Sequence, residues 1–378
     1  MRLVFYSNFL NIHQVSLMDA LYKLLDADFR FVATLPRNAK ELKGGEDYST
    51  RPYCILAAES GIVEEAALRL AVEAEACVFG ACSQAYAVER AKRNPMGLSF
   101  EMGERWLKHG WLTIGSPVFR KWMWNYYQYY RKANFYKLCC SAFAAGDDER
   151  LNAYSGRHYK WGYFTRVDNY EVEAPKGVST SSNATILWCA RFLKLKHPEL
   201  AVKLAVMLKL DGYNVHIDMY GDGPEFDATI RLKEKEQVDG MVTLYGNVPN
   251  KEVIKAMRSH DIFLFTSDKN EGWGAVANES MANGCVLVAS DAVGSTHYLV
   301  EHKKTGMIFQ SCNIDSLYEQ VKFLLDHPIE RNRIANRGRE LMVEMWNPVN
   351  AAENLLILIE HLQSGKATPI KEGPCSKA

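Results

Sequence analysis

EGWGAVANESMANGCVLVASDAVGS, residues 271–295, holds a glycine-bearing turn, a run of small residues and an apolar strand in immediate succession. The strand, CVLVAS (285–290), shows no polar alternation, so it is read as buried on both faces in a parallel sheet. Gly272 and Gly274 leave the turn open to close backbone approach. A helix beginning near Trp273 would turn its free N–H groups and positive dipole end toward an anion such as a phosphate. Glu271 then lies at the mouth of that site. Glu279, roughly two turns along, is placed to accept from two vicinal hydroxyls such as those of a ribose. The same spacing also fits a capped surface helix carrying two solvated glutamates.

Working outward, apolar runs of strand length alternate with segments of helical period along the whole chain, which is the pattern of an α/β protein. TILWCA (185–190), VHIDMYG (215–221), MVTLYG (241–246) and DIFLFT (261–266) join CVLVAS as strands of one Rossmann-like half. Pro198 to Lys209 and Asn250 to Ser259 read as helices between them. RLVFY (2–6), FRFVAT (29–34), ACVFG (76–80), GLSFE (97–101) and CCSAFA (139–144) make an earlier, second half. Between the halves, VDNYEVEAPKGVSTSSN (167–183) has the Pro, Gly, Ser and Thr content of a linker. The expected organisation is a first domain over 1–170, a second over 171–350, a helix over 351–365 and a disordered tail over 366–378.

The chain has 378 residues, enough for about two domains of roughly 150 each, with 45 Lys and Arg against 45 Asp and Glu. Zero formal net charge removes the global basic footprint expected of a nucleic-acid binder. No uncharged apolar run approaches the roughly 20 residues of a membrane span, and the start, MRLVFYSNFLNIHQ, lacks the apolar core and cleavage site of a signal peptide. A cytoplasmic address is expected. The nine cysteines are scattered and never form a C-x-x-C pair, so they read as reduced thiols and not as a zinc site.

The 271–295 segment resembles the signature of glycosyltransferase family 4, retaining nucleotide-sugar enzymes of the GT-B fold. In that signature a glutamate, a Gly-rich turn, seven intervening residues and a second glutamate precede a small-residue helix and a buried strand. CARFLKLKHPE (189–199) is similar to the family's strand-end segment with an arginine and, five residues on, a lysine: here Arg191 and Lys196. YGDGPEF (220–226) and LYGNVP (244–249) follow in the family's order and bring in Gly221 and Asn247.

The resemblance implies two Rossmann-like domains facing across a cleft, with the C-terminal helix packed back on the first. Arg191, Lys196 and Glu271 would serve catalysis. The backbone of Gly272, Trp273, Gly274, Ala275 and Val276 would hold the donor diphosphate, with Gly221 and Asn247 nearby and Glu279 on the ribose. The reaction implied is transfer, with retention, from a nucleotide-diphosphate sugar, UDP-sugar first and GDP-sugar next, to a glycan or lipid-linked glycan in cell-surface polysaccharide synthesis. A fixed Arg, a Lys and a helix N-terminus can stabilise the leaving phosphate, so no metal or other cofactor is called for. Taken as side chains alone, Arg191 and Lys196 also fit solvated charges at a strand end, with Lys194 able to replace either.

The first half matches by architecture only. SNFLNIHQ (7–14) has no glycine pair after the first strand, which leaves His13 or Asn11 to face a ligand there. GLSFEMGERWLKHG (97–110) offers Glu101, Glu104 and Arg105 on the acceptor side, or a buried ion pair. KWGYF (160–164) reads as an interdomain strand. Residues 111–146 contain no Asp or Glu, and over 120–137 basic and aromatic residues interleave. That mixture suits peripheral contact with an anionic membrane, or equally a half-buried aromatic helix. A non-catalytic sugar-nucleotide or glycan-binding module stands as the alternative function; a nicotinamide enzyme is disfavoured because Phe226 occupies the third glycine position after Gly221 and Gly223.

Overall fold

The computed structural model describes residues 1–35, 47–167 and 184–378; the expected linker lies, but for Val167, outside the described residues. The chain forms two compact units, Met1–Arg166 with Asn347–Ala378, and Val167–Trp346. In the first, β1 (Leu3–Ser7), β2 (Phe29–Ala33), β3 (Cys54–Leu56), β4 (Ala76–Phe79), β5 (Leu98–Gly103), β6 (Phe135–Cys139) and β7 (His158–Lys160) form a parallel sheet in the order β3-β2-β1-β4-β5-β6-β7. In the second, β8 (Thr185–Cys189), β9 (His216–Tyr220), β10 (Val242–Gly246), β11 (Ile262–Phe265), β12 (Val286–Ser290) and β13 (Met307–Phe309) are parallel in the order β10-β9-β8-β11-β12-β13. Both are Rossmann-like orders, reversing direction between β1 and β4 and between β8 and β11.

Helices on both faces explain why the central strands are continuously apolar; all of Ile262, Phe263, Leu264 and Phe265 are buried. β6 departs from that rule with a fully buried charge. The strand expected at 139–144 instead runs from Phe135 to Cys139, and Ala144 begins a helix to Arg150. Its centre is Lys137, fully buried and directly opposite Glu101 on β5, with Nζ 2.8 Å from the carboxylate. A lysine in mid-strand conceals the strand from a hydrophobic reading, and the carboxylates of Glu101 and Asp148 make it tolerable in the core. Trp122 donates its indole N–H to both Glu101 oxygens at 2.9 Å, and the Tyr154 hydroxyl donates to one at 2.6 Å.

The KWGYF stretch is not a strand beyond Lys160; Trp161 and Phe164 turn into the core against each other. The last long helix runs from Pro348 to Gln363 and packs on the helix Ile12–Leu25 of the first unit. It starts ahead of Ala351 because Asn347 caps it and Pro348 fits its first turn.

The segment expected to be a disordered tail is ordered, and its end adds an antiparallel bridge to β7 between Tyr159 and Lys377. Cys375 N–H donates to the Lys160 carbonyl and Lys160 N–H to the Ser376 carbonyl, both at 2.8 Å, while Cys375 and Ser376 are fully buried. Composition misleads here because β7 is a sheet edge whose main-chain groups need partners, and a polar peptide supplies them as well as an apolar one. Deleting residues 373–378 removes these bonds, at about 1 kcal/mol each, and uncovers the edge, so the first unit's melting temperature should drop by on the order of 5 °C. Differential scanning calorimetry of the truncated chain would show no such drop if the tail were merely laid on the surface.

Candidate active site

The strand-order reversal in the second unit opens a crevice at the C-terminal ends of β8 and β11, where ligands of such sheets bind. The chain leaving β8 passes through Arg191, which is exposed, into the turn Lys194–Lys196 and then the helix Glu199–Leu210. The chain leaving β11 passes through the buried Thr266 and Ser267 to Glu271. These two loops are tied together. Trp188 Nε1 donates to the Thr266 hydroxyl at 2.9 Å, Thr266 donates to the Lys196 carbonyl at 2.6 Å, and Asp268 N–H donates to the Leu195 carbonyl at 2.9 Å.

The result is an ion pair between Lys196 and Glu271, and Ser267 donates its hydroxyl to the same carboxylate oxygen at 2.9 Å. His197, in a left-handed backbone conformation, has its ring between Glu199 and Asp268, at 2.9 and 3.3 Å. Glu199, then Asp268, hold the His197 pKa above its ordinary value.

Gly274 has φ 78°, and a Cβ there would stand 2.2 Å from the Phe265 ring, so the turn requires glycine. The following helix spans Val276–Ala282, three residues later than its expected start near Trp273. Trp273 is the reason. Its ring is buried with Tyr298 and Trp346, its indole donates to Asn278 Oδ1 at 2.7 Å, and its carbonyl accepts from Ser295. Its side chain is therefore a core anchor and does not face a ligand. Among the described residues, no backbone carbonyl accepts from the amides of Gly272, Gly274 or Ala275, which leaves a short row of donors beside Glu271.

Glu279 lies in the first turn of that helix and is only 7% exposed. Burial pushes its pKa up to about 7. Cys189, at the end of β8, feels both sides of the crevice: burial raises its thiol to about 12, with Glu279 acting upward and Lys196 downward. Lys196 and Glu271 are thus paired, and Glu279 lies near enough to the end of β8 for Cys189 to feel its charge.

The remaining expected residues divide. Gly221 has φ 124°, and a Cβ there would meet the Ala190 carbonyl at 2.0 Å, so its role is to let β9's loop pass under the chain that carries Arg191. Asn247 is exposed just beyond β10, two strands from β8 and so roughly 10 Å from the crevice. In the first unit, His13 opens the helix Ile12–Leu25 after β1, and burial lowers its pKa. Glu101 and Glu104 line a cavity of about 510 Å³ at the ends of β4, β5 and β6, walled by Trp106, Trp122 and Tyr163. Glu101 is engaged by Lys137, Trp122 and Tyr154, whereas Glu104 meets Lys108 at 2.8 Å and Tyr163 at 3.3 Å near the surface. Ser267 and Thr266 were not singled out in the sequence. The available signal was two hydroxyl residues directly following an all-apolar strand.

Residues 170–341 match the family model of Glycosyl transferases group 1. N-acetyl-alpha-D-glucosaminyl L-malate synthase of Bacillus anthracis is 26% identical over 185 residues, 49% of this chain and 46% of that protein. The aligned stretch thus spans about half the length of the curated relatives it matches. Among solved structures, Anabaena HepE in complex with UDP superposes with a TM-score of 0.69 at 15% identity, covering 96% of this chain and 100% of that one. A glycosyltransferase from Rickettsia africae gives 0.70 at 13% identity, covering 97% and 99%. At these identities the likeness is one of fold, and it is the fold of two parallel-sheet Rossmann-like domains shared by GT-B glycosyltransferases.

The raised pKa of Glu279 has a sign that can be measured. The folded protein holds this proton more tightly than an ordinary glutamate at 4.5, so stability falls as pH rises from there through about 7. Glu279→Gln should therefore match the parent's melting temperature at pH 5 and exceed it by several degrees at pH 8, a gain on the order of 3 kcal/mol. Equal melting temperatures at pH 8 would show that the carboxylate is not desolvated.

Proposed function

We propose that this protein is a retaining glycosyltransferase of family 4 that moves a sugar from a nucleotide-diphosphate sugar, UDP-sugar first, to a glycan or lipid-linked glycan. The observation that carries this reading is the Lys196–Glu271 pair beside the open amides of Gly272, Gly274 and Ala275, with Glu279 in the first turn of the helix that follows. The match of 170–341 to Glycosyl transferases group 1 supports the reaction class, and the UDP held by HepE supports the choice of base.

In this reading the amide row and Lys196 receive the diphosphate. Breaking the sugar–phosphate bond leaves growing negative charge on the terminal phosphate, and Lys196 with Arg191 stabilises it without a metal. The pairing with Glu271 and Ser267 keeps the Lys196 ammonium in place, so little reorganisation is needed when that charge appears. Glu279 accepts from the two ribose hydroxyls, which favours its ionised form. The acceptor enters the cavity of the first unit, where Glu104 and the aromatic walls meet it. Departure of the acceptor proton toward the leaving phosphate on the same face of the sugar accounts for retention.

A thermal-shift series with UDP, GDP, ADP and NAD tests the donor site, because a ligand that binds only the folded state raises its melting temperature. UDP should give the largest rise, and Glu279→Ala should abolish it. A response to NAD alone would remove the transferase reading, and UDP binding without turnover on any acceptor would leave a binding module. Arg191→Ala should lower kcat by about a hundredfold with donor affinity nearly kept. Calorimetric titration of UDP at pH 7 in buffers of different ionisation enthalpy should register release of a fraction of a proton from Glu279, and buffer-independent heats would exclude it from the ribose contact.

A further inference from the structure

We propose that the turn Gly110–Gly115 and the outward face of the helix Pro117–Gln128 form a docking surface for an anionic lipid bilayer. The stretch expected at a membrane, 120–137, divides in the structure. Trp122, Tyr126, Tyr130 and Phe135 are buried and pack among themselves in the first unit's core. The apolar side chains left in solvent lie earlier: Leu112 is 86% exposed, Val118 65%, Trp124 62%, Trp111 59% and Ile114 46%. Large apolar residues scattered singly over a surface need no explanation, but five within fourteen consecutive residues, on a turn packed against a helix, form a patch that calls for a cover.

The charges select the cover. Arg120 and Lys121 are exposed and stand four and three residues before Trp124, so they flank it on the helix surface. The sequence has no carboxylate between Glu104 and Asp147. Those two are themselves neutralised, Glu104 by Lys108 at 2.8 Å and Asp147 by Arg105 at 3.0 Å. A tryptophan between two cations at the edge of an aliphatic patch matches the headgroup layer of an anionic leaflet, with Leu112 and Ile114 reaching below it. A second copy of the chain fits less well, since a two-fold contact would turn Arg120 and Lys121 toward their own equivalents. Among the described residues no helix is long and apolar enough to cross a membrane, so this contact is with the surface of the bilayer.

Val118 belongs both to the patch and to the lining of the 510 Å³ cavity. Docking therefore brings the cavity mouth to the lipid surface. If the transferase reading holds, an acceptor with its lipid anchored in the leaflet reaches Glu104 without leaving the membrane; the docking itself does not depend on that reading.

The test is sedimentation of the full chain with vesicles of phosphatidylcholine alone and of phosphatidylcholine with phosphatidylglycerol. Binding should require the anionic lipid and weaken as salt is added. Arg120→Ala with Lys121→Ala should reduce affinity by on the order of tenfold or more. Trp111→Ser with Leu112→Ser and Trp124→Ser should reduce it at least as far, with an unchanged melting temperature because these side chains are exposed. If a variant melts early, quenching of the parent's tryptophan emission by brominated lipid supplies the reading, and emission insensitive to brominated lipid overturns the proposal. So does absence of binding, or equal binding by parent and stably folded variants. A dimer that dissociates on the same substitutions, without vesicle binding, would assign the face to a second copy and likewise overturn it.

Discussion

The hydroxyl of Thr266 joins two loops that lie seventy residues apart in the chain. It accepts the indole proton of Trp188 from within β8 and donates to the carbonyl of Lys196, while Asp268 takes hold of Leu195 one residue earlier. A single such bond contributes about 1 kcal/mol net, but the Trp188–Thr266 bond is buried, and losing it would strand a polar group in the core. Their geometric effect is larger than their energy. The turn after β8 is fixed against the extension of β11, so Lys196 has one place to go, and Glu271 with Ser267 is waiting there. On the other side, the absence of a side chain on Gly221 lets β9's loop close to within contact of Ala190. The cationic segment is thus positioned by backbone and hydroxyl contacts from two neighbouring loops, with Lys196 paired to Glu271 and Arg191 exposed.

Five parallel strands of the second unit were legible, β8, β11 and β12 as nearly uninterrupted apolar runs because burial on both faces forbids polar alternation, and β9 and β10 by the apolar residues that remain around Asp218 and Thr243. The glutamate pair was read from its place at a turn following a strand and the Arg191–Lys196 spacing from the family resemblance; the structure sets Lys196 against Glu271 and leaves Arg191 exposed. What the sequence concealed were compensated features, each readable only with its partner. Lys137 disguised β6 until Glu101 was seen across the ladder. The C-terminal peptide looked disordered until β7 was seen to need an edge partner. Trp273, expected to lend only its backbone to the donor, has a side chain that Asn278, Ser295 and Trp346 hold inward, a role the sequence did not show.

Buried carboxylates occur in both units, and their surroundings separate two uses. Burial raises the Asp148 pKa in the first unit, but Lys137 and His158 pull it back, as expected of a charge held inside a structural network. Glu101, in that same network, is hydrogen-bonded by three side chains. At Glu279 burial drives the shift, in the first turn of the helix Val276–Ala282. A carboxylate desolvated just after a strand end of such a sheet is placed where hydroxyl groups of a ligand can meet it.

The helix Pro117–Gln128 shows the same distinction at a surface. Its period sends Phe119, Trp122 and Tyr126 inward, and Arg120, Lys121 and Trp124 outward. Because aromatic residues occur on both faces, the sequence does not tell which rings are core and which are free. Trp122 is committed by Glu101, whose carboxylate fixes its indole and thereby the rotation of the whole helix. Once that rotation is set, Trp124 has no core to enter, and a tryptophan left between two cations in water keeps a large apolar surface that neither folding nor catalysis uses. The ion pair that makes β6 possible therefore also determines which aromatic residues the first unit offers to its surroundings.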